Sequence, residues 1–232
     1  VHARKNKVVK GLTSGVEFLF KKNKVEWIRG SARLLGKGAV EVTAEGGAAQ
    51  KITAAEIIVA TGSTARSVPG IDIDRKRIIT SDEAIHLAEV PNSIVVMGSG
   101  AVGVEFASIF NRFGSQVTLV ELLPRVVPVE DEAVSAELER VFKKAKIRIL
   151  TGTTVTSAKP GPSSVTIEAQ TAAGKTETIE ADYLLVATGR GPVTTGLGAE
   201  DVGLALERGY IKVDPLFRTG VPGTSAIGDV IT

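Results

Sequence analysis

The chain has no cysteine among its 232 residues. A disulfide scaffold, a thiol nucleophile, a thiolate metal site and a dithiol redox centre are therefore excluded within it. Histidine is nearly absent too, with only His2 and His86, so a His-rich metal site is excluded and no metal is expected. Aromatic residues make up 4%, which speaks against base-stacking on single-stranded nucleic acid, and no nucleic-acid partner is expected. No apolar run approaches the ~20 residues of a membrane helix, so no membrane partner is expected. No signal peptide is expected. The net charge is only +2. The basic stretches Arg4-Lys5-Asn6-Lys7 and Lys21-Lys22-Asn23-Lys24 read as solvated helix ends. Together these absences imply a cytoplasmic protein. The start Val1-His2-Ala3, without Met, implies one that begins partway through a larger polypeptide.

What is present is apolar material and glycine. At 43% apolar the chain can build a sizeable core. Its 25 glycines exceed the usual ~7% and suggest tight turns where backbone meets phosphate. Val8, Leu12, Val16, Leu19 and Phe20 share one face of a helix predicted over 4–24. Strand-like runs follow at Val25–Arg29, Ala39–Thr43 and Ile52–Ala60, then a loop over Thr64–Gly70. Ser81-Asp82-Glu83 opens a short helix capped by Thr80 or Ser81.

The clearest unit follows. Ile94–Met97 is a continuous apolar run, as expected of a parallel strand buried on both faces. A helix is predicted over 101–113, burying Val102, Phe106, Ile109, Phe110 and Phe113, and stopped by Gly114. Gln116–Glu121 is the next strand. A helix over 131–145 buries Val134, Leu138, Val141 and Phe142, and strand Ile147–Leu150 completes a β-α-β-α-β pattern. A β-rich stretch over 155–186 follows, ending in strand Tyr183–Ala187.

Between the first strand and helix of this pattern, Gly98-Ser99-Gly100-Ala101-Val102-Gly103 fits G-x-G-x-x-G. Alone it is a weak signal, because glycine-rich turns are common. Its context is that of a dinucleotide site: buried strand before, amphipathic helix after, and an acid, Glu121, ending the next strand about 20 residues on. Gly98 permits the turn, Gly100 lets backbone approach a pyrophosphate, and Gly103 lets helix pack on strand. The pyrophosphate meets the helix N-terminus, whose free N–H groups favour negative charge. Glu121 accepts from the adenosine ribose hydroxyls and repels a 2′-phosphate, which favours NAD over NADP; Arg125, four residues on, weakens that preference. Glu105, at the border of the apolar face, has two readings: a partly buried polar contact near the nicotinamide, or a solvated helix residue.

An internal echo accompanies the fingerprint. Ile57-Ile58-Val59-Ala60-Thr61-Gly62-Ser63 repeats as Leu184-Leu185-Val186-Ala187-Thr188-Gly189-Arg190, suggesting two related nucleotide-binding halves. Gly98 precedes Gly189 by more residues than the chain holds before Gly62. The first half is therefore expected to start before residue 1.

On these stretches the chain resembles the dihydrolipoamide dehydrogenases, flavin-dependent pyridine nucleotide–disulfide oxidoreductases. The resemblance rests on Gly15–Val25, Ile57–Ser63, Val95–Glu105, Gly114–Glu121, Ala187–Pro192 and Arg218–Val230, in the family's order over nearly the whole chain. It implies an α/β fold with a Rossmann-like, three-layer NAD-binding domain over 80–190, inserted in an incomplete FAD-binding domain formed by 1–79 and 191–232. It implies NAD along Gly98, Ser99, Gly100, Ala101, Val102, Gly103, Val104 and Glu105, with Glu121 at its ribose, Val155 at the adenine and Gly189 at the nicotinamide side. FAD is implied at Ala32, at Thr61-Gly62-Ser63 and at Asp229; without the family, Asp229 reads as an ordinary Gly-Asp turn.

The sequence departs from the family at Ala32, usually Gly, and at Gly191, usually a second Arg. It lacks the first G-x-G-x-x-G, the redox C-x-x-x-x-C pair and the C-terminal domain with its His-Glu base. The implied parent is a homodimer that oxidises protein-bound dihydrolipoamide through a disulfide and FAD to reduce NAD. It would serve 2-oxo acid dehydrogenase complexes through their lipoyl domains. The chain itself, with no catalytic residue, is expected to be inactive in that reaction. Three further readings remain open: an NADPH-linked disulfide or mercuric reductase of the same superfamily, a non-catalytic NAD-binding module, and an inactive structural product of truncation that folds only with partner pieces.

Overall fold

The structure is a computed structural model and describes residues 1–44 and 46–231. Contacts divide the chain into two compact units, Ala65–Arg190 and Val1–Thr64 with Gly191–Thr232.

The Ala65–Arg190 unit is built on a five-stranded parallel sheet. Its order is Ile78–Ile79, Tyr183–Val186, Ser93–Met97, Gln116–Val120, Arg148–Leu150. Alternate residues of the central strand face opposite layers. Ile94 and Val96 pack with Ala107, Phe110 and Phe142 of two helices, Ala101–Arg112 and Glu132–Lys144. Val95 and Met97 pack with Val155, Val165, Ile167 and Ala181 of an antiparallel meander, Thr153–Pro160, Val165–Thr171 and Thr176–Ala181. The sheet is thus covered on both faces, which is why its strands read as unbroken apolar runs. This is the expected three-layer α/β arrangement. Val96, Leu119, Leu184 and Leu185 are completely buried, each contributing about 1.5–3 kcal/mol. Packing also groups residues 65–79 with this unit, because Val68, Ile71, Ile73 and Ile78 join the meander-side core.

Both helices lie where the spacing predicts, but rotated. Ala101–Arg112 buries Gly103, Ala107 and Phe110, with Val102 and Phe106 half-buried and Ile109 and Phe113 exposed. Small side chains at 103 and 107 let the helix backbone approach the sheet, so that face wins over the bulkier stripe. Glu132–Lys144 buries Ser135 and Phe142 and leaves Val134 and Val141 exposed. The Ser135 hydroxyl, donating to the Val126 carbonyl, pins its first turn. Gly114 stops the first helix at φ +102, as predicted.

In the other unit, helix His2–Lys22 has no buried residue. Val25–Arg29 forms no strand. Trp27 instead meets Phe20 edge-on and lies under the Arg29 guanidinium, so its apolar surface is used without a ladder partner. Ser31–Gly36, not foreseen, pairs with Ala39–Thr43, which pairs with Ala49–Thr53. The run predicted over Ile52–Ala60 is two strands, broken at 54–56. The second, Ile57–Val59, lies parallel to Thr224–Ala226. Leu34, Val59, Leu204, Ile211, Ala226 and Val230 form this unit's core.

Candidate nucleotide site

In the Ala65–Arg190 unit the chain leaves strand Ser93–Met97 and enters helix Ala101–Arg112 through Gly98, Ser99 and Gly100. Gly98 sits at φ +100, and a Cβ there would stand 2.5 Å from the Ala187 carbonyl oxygen. A Cβ on Gly103 would overlap the Gly98 carbonyl, whereas one on Gly100 would point into open space. The first and third glycines therefore serve packing, and the second keeps clear the approach to the helix N-terminus. No side chain caps that N-terminus, so its first N–H groups are available to an anion.

Glu121 directly follows the neighbouring strand, Gln116–Val120, and is 8% exposed. Its Oε2 accepts from the Ser99 N–H at 2.8 Å and the Ser99 hydroxyl at 2.7 Å. Its Oε1 accepts from the Leu123 N–H at 2.8 Å. Arg125 turns away: its guanidinium donates to the Pro128 and Glu130 carbonyls and pairs with Glu132 at 3.2 Å.

A cavity of ≈ 600 Å³ gathers Gly98, Ser99, Gly100, Glu121, Val155 and Gly189, though they come from four separate parts of the chain. A smaller one, ≈ 130 Å³, is lined by Gly100, Ala101, Val102 and Gly189. Three of the expected residues line neither. Gly103 is buried against Gly98, Val104 packs into the helix-side core, and Glu105 is exposed. The partly buried reading of Glu105 is thereby corrected: the helix's rotation toward Gly103 and Ala107 carries position 105 to solvent. Val68, Pro69, Leu122 and Leu123 also line the larger cavity and were not foreseen. Leu122 and Leu123 follow directly on Glu121, a signal that was present; nothing in the sequence links Val68 and Pro69 to the fingerprint.

The other unit carries a second constellation. Thr61–Ser63 and Ile227–Asp229 leave the same ends of the parallel strands Ile57–Val59 and Thr224–Ala226. The Ser63 hydroxyl donates to Oδ2 of Asp229 at 2.7 Å. Gly62 and Gly228 both sit at positive φ, +70 and +76. The Thr61 hydroxyl donates to the Val193 carbonyl at 2.6 Å. Ala32 is exposed on a strand, opposite Val42, outside the Ser63–Asp229 contact. The glycine of the second Ala-Thr-Gly, Gly189, likewise has a positive φ, at +120.

A family model described as pyridine nucleotide-disulphide oxidoreductase matches residues 1–232. The chain belongs to that family. Among its relatives it is 45% identical over 229 residues to dihydrolipoyl dehydrogenase 3 of Pseudomonas aeruginosa, covering 98% of this chain and 49% of the relative. It is 41% identical over 231 residues to the mitochondrial dihydrolipoyl dehydrogenase of Dictyostelium discoideum, covering 98% and 47%. Among solved structures, LpdA from Mycobacterium tuberculosis superposes with a TM-score of 0.89 at 30% identity, covering 99% of this chain and 51% of that one. The HOCl-induced flavoprotein disulfide reductase RclA from Escherichia coli superposes at 0.86 and 28% identity, covering 98% and 51%. The chain spans about half the length of the curated relatives it matches. No helix among the described residues is long and apolar enough to cross a membrane.

Proposed function

We propose that the chain binds NAD in the cavity bounded by Gly98, Gly100 and Glu121, and that the whole protein is a flavin-dependent dihydrolipoamide dehydrogenase. The observation that carries the first part is the clearance at Gly100 beside an uncapped helix N-terminus, with a buried acid one strand away. In this reading the N–H groups of Ala101 and Val102 hold the pyrophosphate. Glu121 holds the adenosine ribose, Val155 contacts the adenine, and Gly189 and Val102 flank the nicotinamide. Asp229, fixed by Ser63, accepts from hydroxyls of the flavin's ribityl chain, while the backbone at Ala32 and Thr61-Gly62 borders the same ligand. Bound together, FAD and NAD supply hydride transfer, and this chain's residues supply orientation. Gly103 and Val104 act through helix packing rather than by contact.

The parent's dithiol step belongs to cysteines and a base that these 232 residues do not contain, so the chain alone is inactive toward dihydrolipoamide. A homodimeric parent that meets lipoyl domains of 2-oxo acid dehydrogenase complexes, in the cytoplasm, completes the reading. An NADPH-linked reductase is disfavoured by Glu121 and by the tethered Arg125. Titrating the chain with NADH, followed by nicotinamide fluorescence, tests the site. Gly100→Val and Glu121→Ala should each weaken binding about 10-fold or more; wild-type affinity in both would remove the assignment.

A further inference from the structure

An ionised carboxylate offers about four lone-pair sites, two on each oxygen. In Glu121 three are already taken. Ser99 fills both on Oε2, through its N–H and its hydroxyl. The Leu123 N–H takes one on Oε1. A single acceptor site remains, on Oε1. Ser99 is also held from its other side. It is completely buried, and its carbonyl accepts from the Val127 N–H at 3.1 Å. Val127 stands at φ +40, a costly conformation for a β-branched residue and one the surrounding contacts must enforce. The loop after Glu121 is therefore fastened to the Ser99 backbone, which fixes the position from which the serine's N–H and hydroxyl reach Glu121.

We infer that Ser99 is a positioning and specificity-determining residue. It saturates Oε2, so that Glu121 engages the ribose diol through one hydroxyl, at Oε1, rather than through both. The inference rests on the NAD reading of the cavity. A residue without the hydroxyl at position 99 would still donate its backbone N–H, but would leave one site on Oε2 open to a second ribose hydroxyl. Ser99 thus replaces a ligand hydrogen bond with an internal one, and holds the carboxylate in place before ligand arrives.

The test titrates the 232-residue chain with NADH and with two analogues, lacking the 2′- or the 3′-hydroxyl of the adenosine ribose. Wild type should lose about 10-fold or more in affinity with one analogue and stay within about 2-fold of NADH with the other. Ser99→Ala, and Ser99→Gly as a second variant, should be weakened by both deletions. Equal losses in wild type would overturn the inference, as would an unchanged pattern in Ser99→Ala. A merely structural Ser99 would shift all three ligands by one factor and leave their ratios alone, which also overturns it. The wild-type arm is decisive even where a variant does not fold. No NADH binding by wild type, or binding indifferent to Gly100→Val, is a different pattern: it removes the NAD reading, and the inference with it.

Discussion

Gly98 lies so close beneath Ala187 that a Cβ on it would stand 2.5 Å from the Ala187 carbonyl oxygen. The contact joins the fingerprint turn to the end of the neighbouring parallel strand, Tyr183–Val186. Gly98→Ala adds a positive-φ penalty to the overlap, and Gly103→Ala drives a methyl into the Gly98 carbonyl. Each should destabilise the unit by about 1–3 kcal/mol or more in denaturant unfolding. Wild-type midpoints would show that the turn relaxes more readily than this packing allows.

Gly100→Ala should behave in the opposite way. Its Cβ meets nothing within 4 Å, and φ −68 is ordinary for any residue. Thermal stability should change by no more than about 1 kcal/mol, while NADH affinity falls because the methyl occupies the approach to the helix N-terminus. Loss of stability together with unchanged affinity would reverse the division of labour among the three glycines.

Thr80 and Glu83 form a capping box on helix Ser81–Ala84. Oε2 of Glu83 accepts from the Thr80 N–H at 2.9 Å and from its hydroxyl at 2.8 Å. Burial pushes the Glu83 carboxyl up, but the Thr80 donors, the Glu83 N–H and the Arg75 charge together leave the pKa below its ordinary value. A pKa depressed on folding contributes stability above the unfolded value, about 4.3. That contribution is lost as pH falls through the lower folded value. Thr80→Ala should cost about 1 kcal/mol near neutral pH and flatten the acid-side decline. An acid limb that superimposes on wild type would contradict the coupling.

The rotation of helix Ala101–Arg112 separates two substitutions. Ala107 is completely buried and Phe113 is 49% exposed. Ala107→Leu should destabilise by about 1–3 kcal/mol through overpacking, whereas Phe113→Ser should stay within about 1 kcal/mol. Equal effects, measured by urea unfolding, would argue for the bulkier stripe as the buried face.

Much of this was legible in the sequence. The strand Ser93–Met97, its glycine turn, the following helix and the acid at Glu121 each carry a periodicity or a steric requirement within a few residues. The helix face was not legible, because Gly103 and Ala107 contribute their small size rather than apolarity, and a hydrophobic pattern does not register size. Ser31–Gly36 was missed because Ser-Ala-Arg-Leu-Leu-Gly lacks alternation, while Val25–Arg29 has strand-like residues but no neighbour to pair with. Ser99's hold on Glu121 joins residues 22 positions apart, and only the fold brings them together.

Helix His2–Lys22 buries none of its residues and contains Gly11 and Gly15, each costing about 1 kcal/mol of helix propensity. Among the described residues little packs against it, so within the 232-residue chain its order rests on local cooperativity rather than on tertiary packing. Its amide hydrogens should exchange with solvent deuterium orders of magnitude sooner than those of the sheet strand Ser93–Met97. Within these 232 residues the chain would then run on two clocks: a glycine turn held by the sheet that opens rarely, and a helix that melts and reforms many times between those openings.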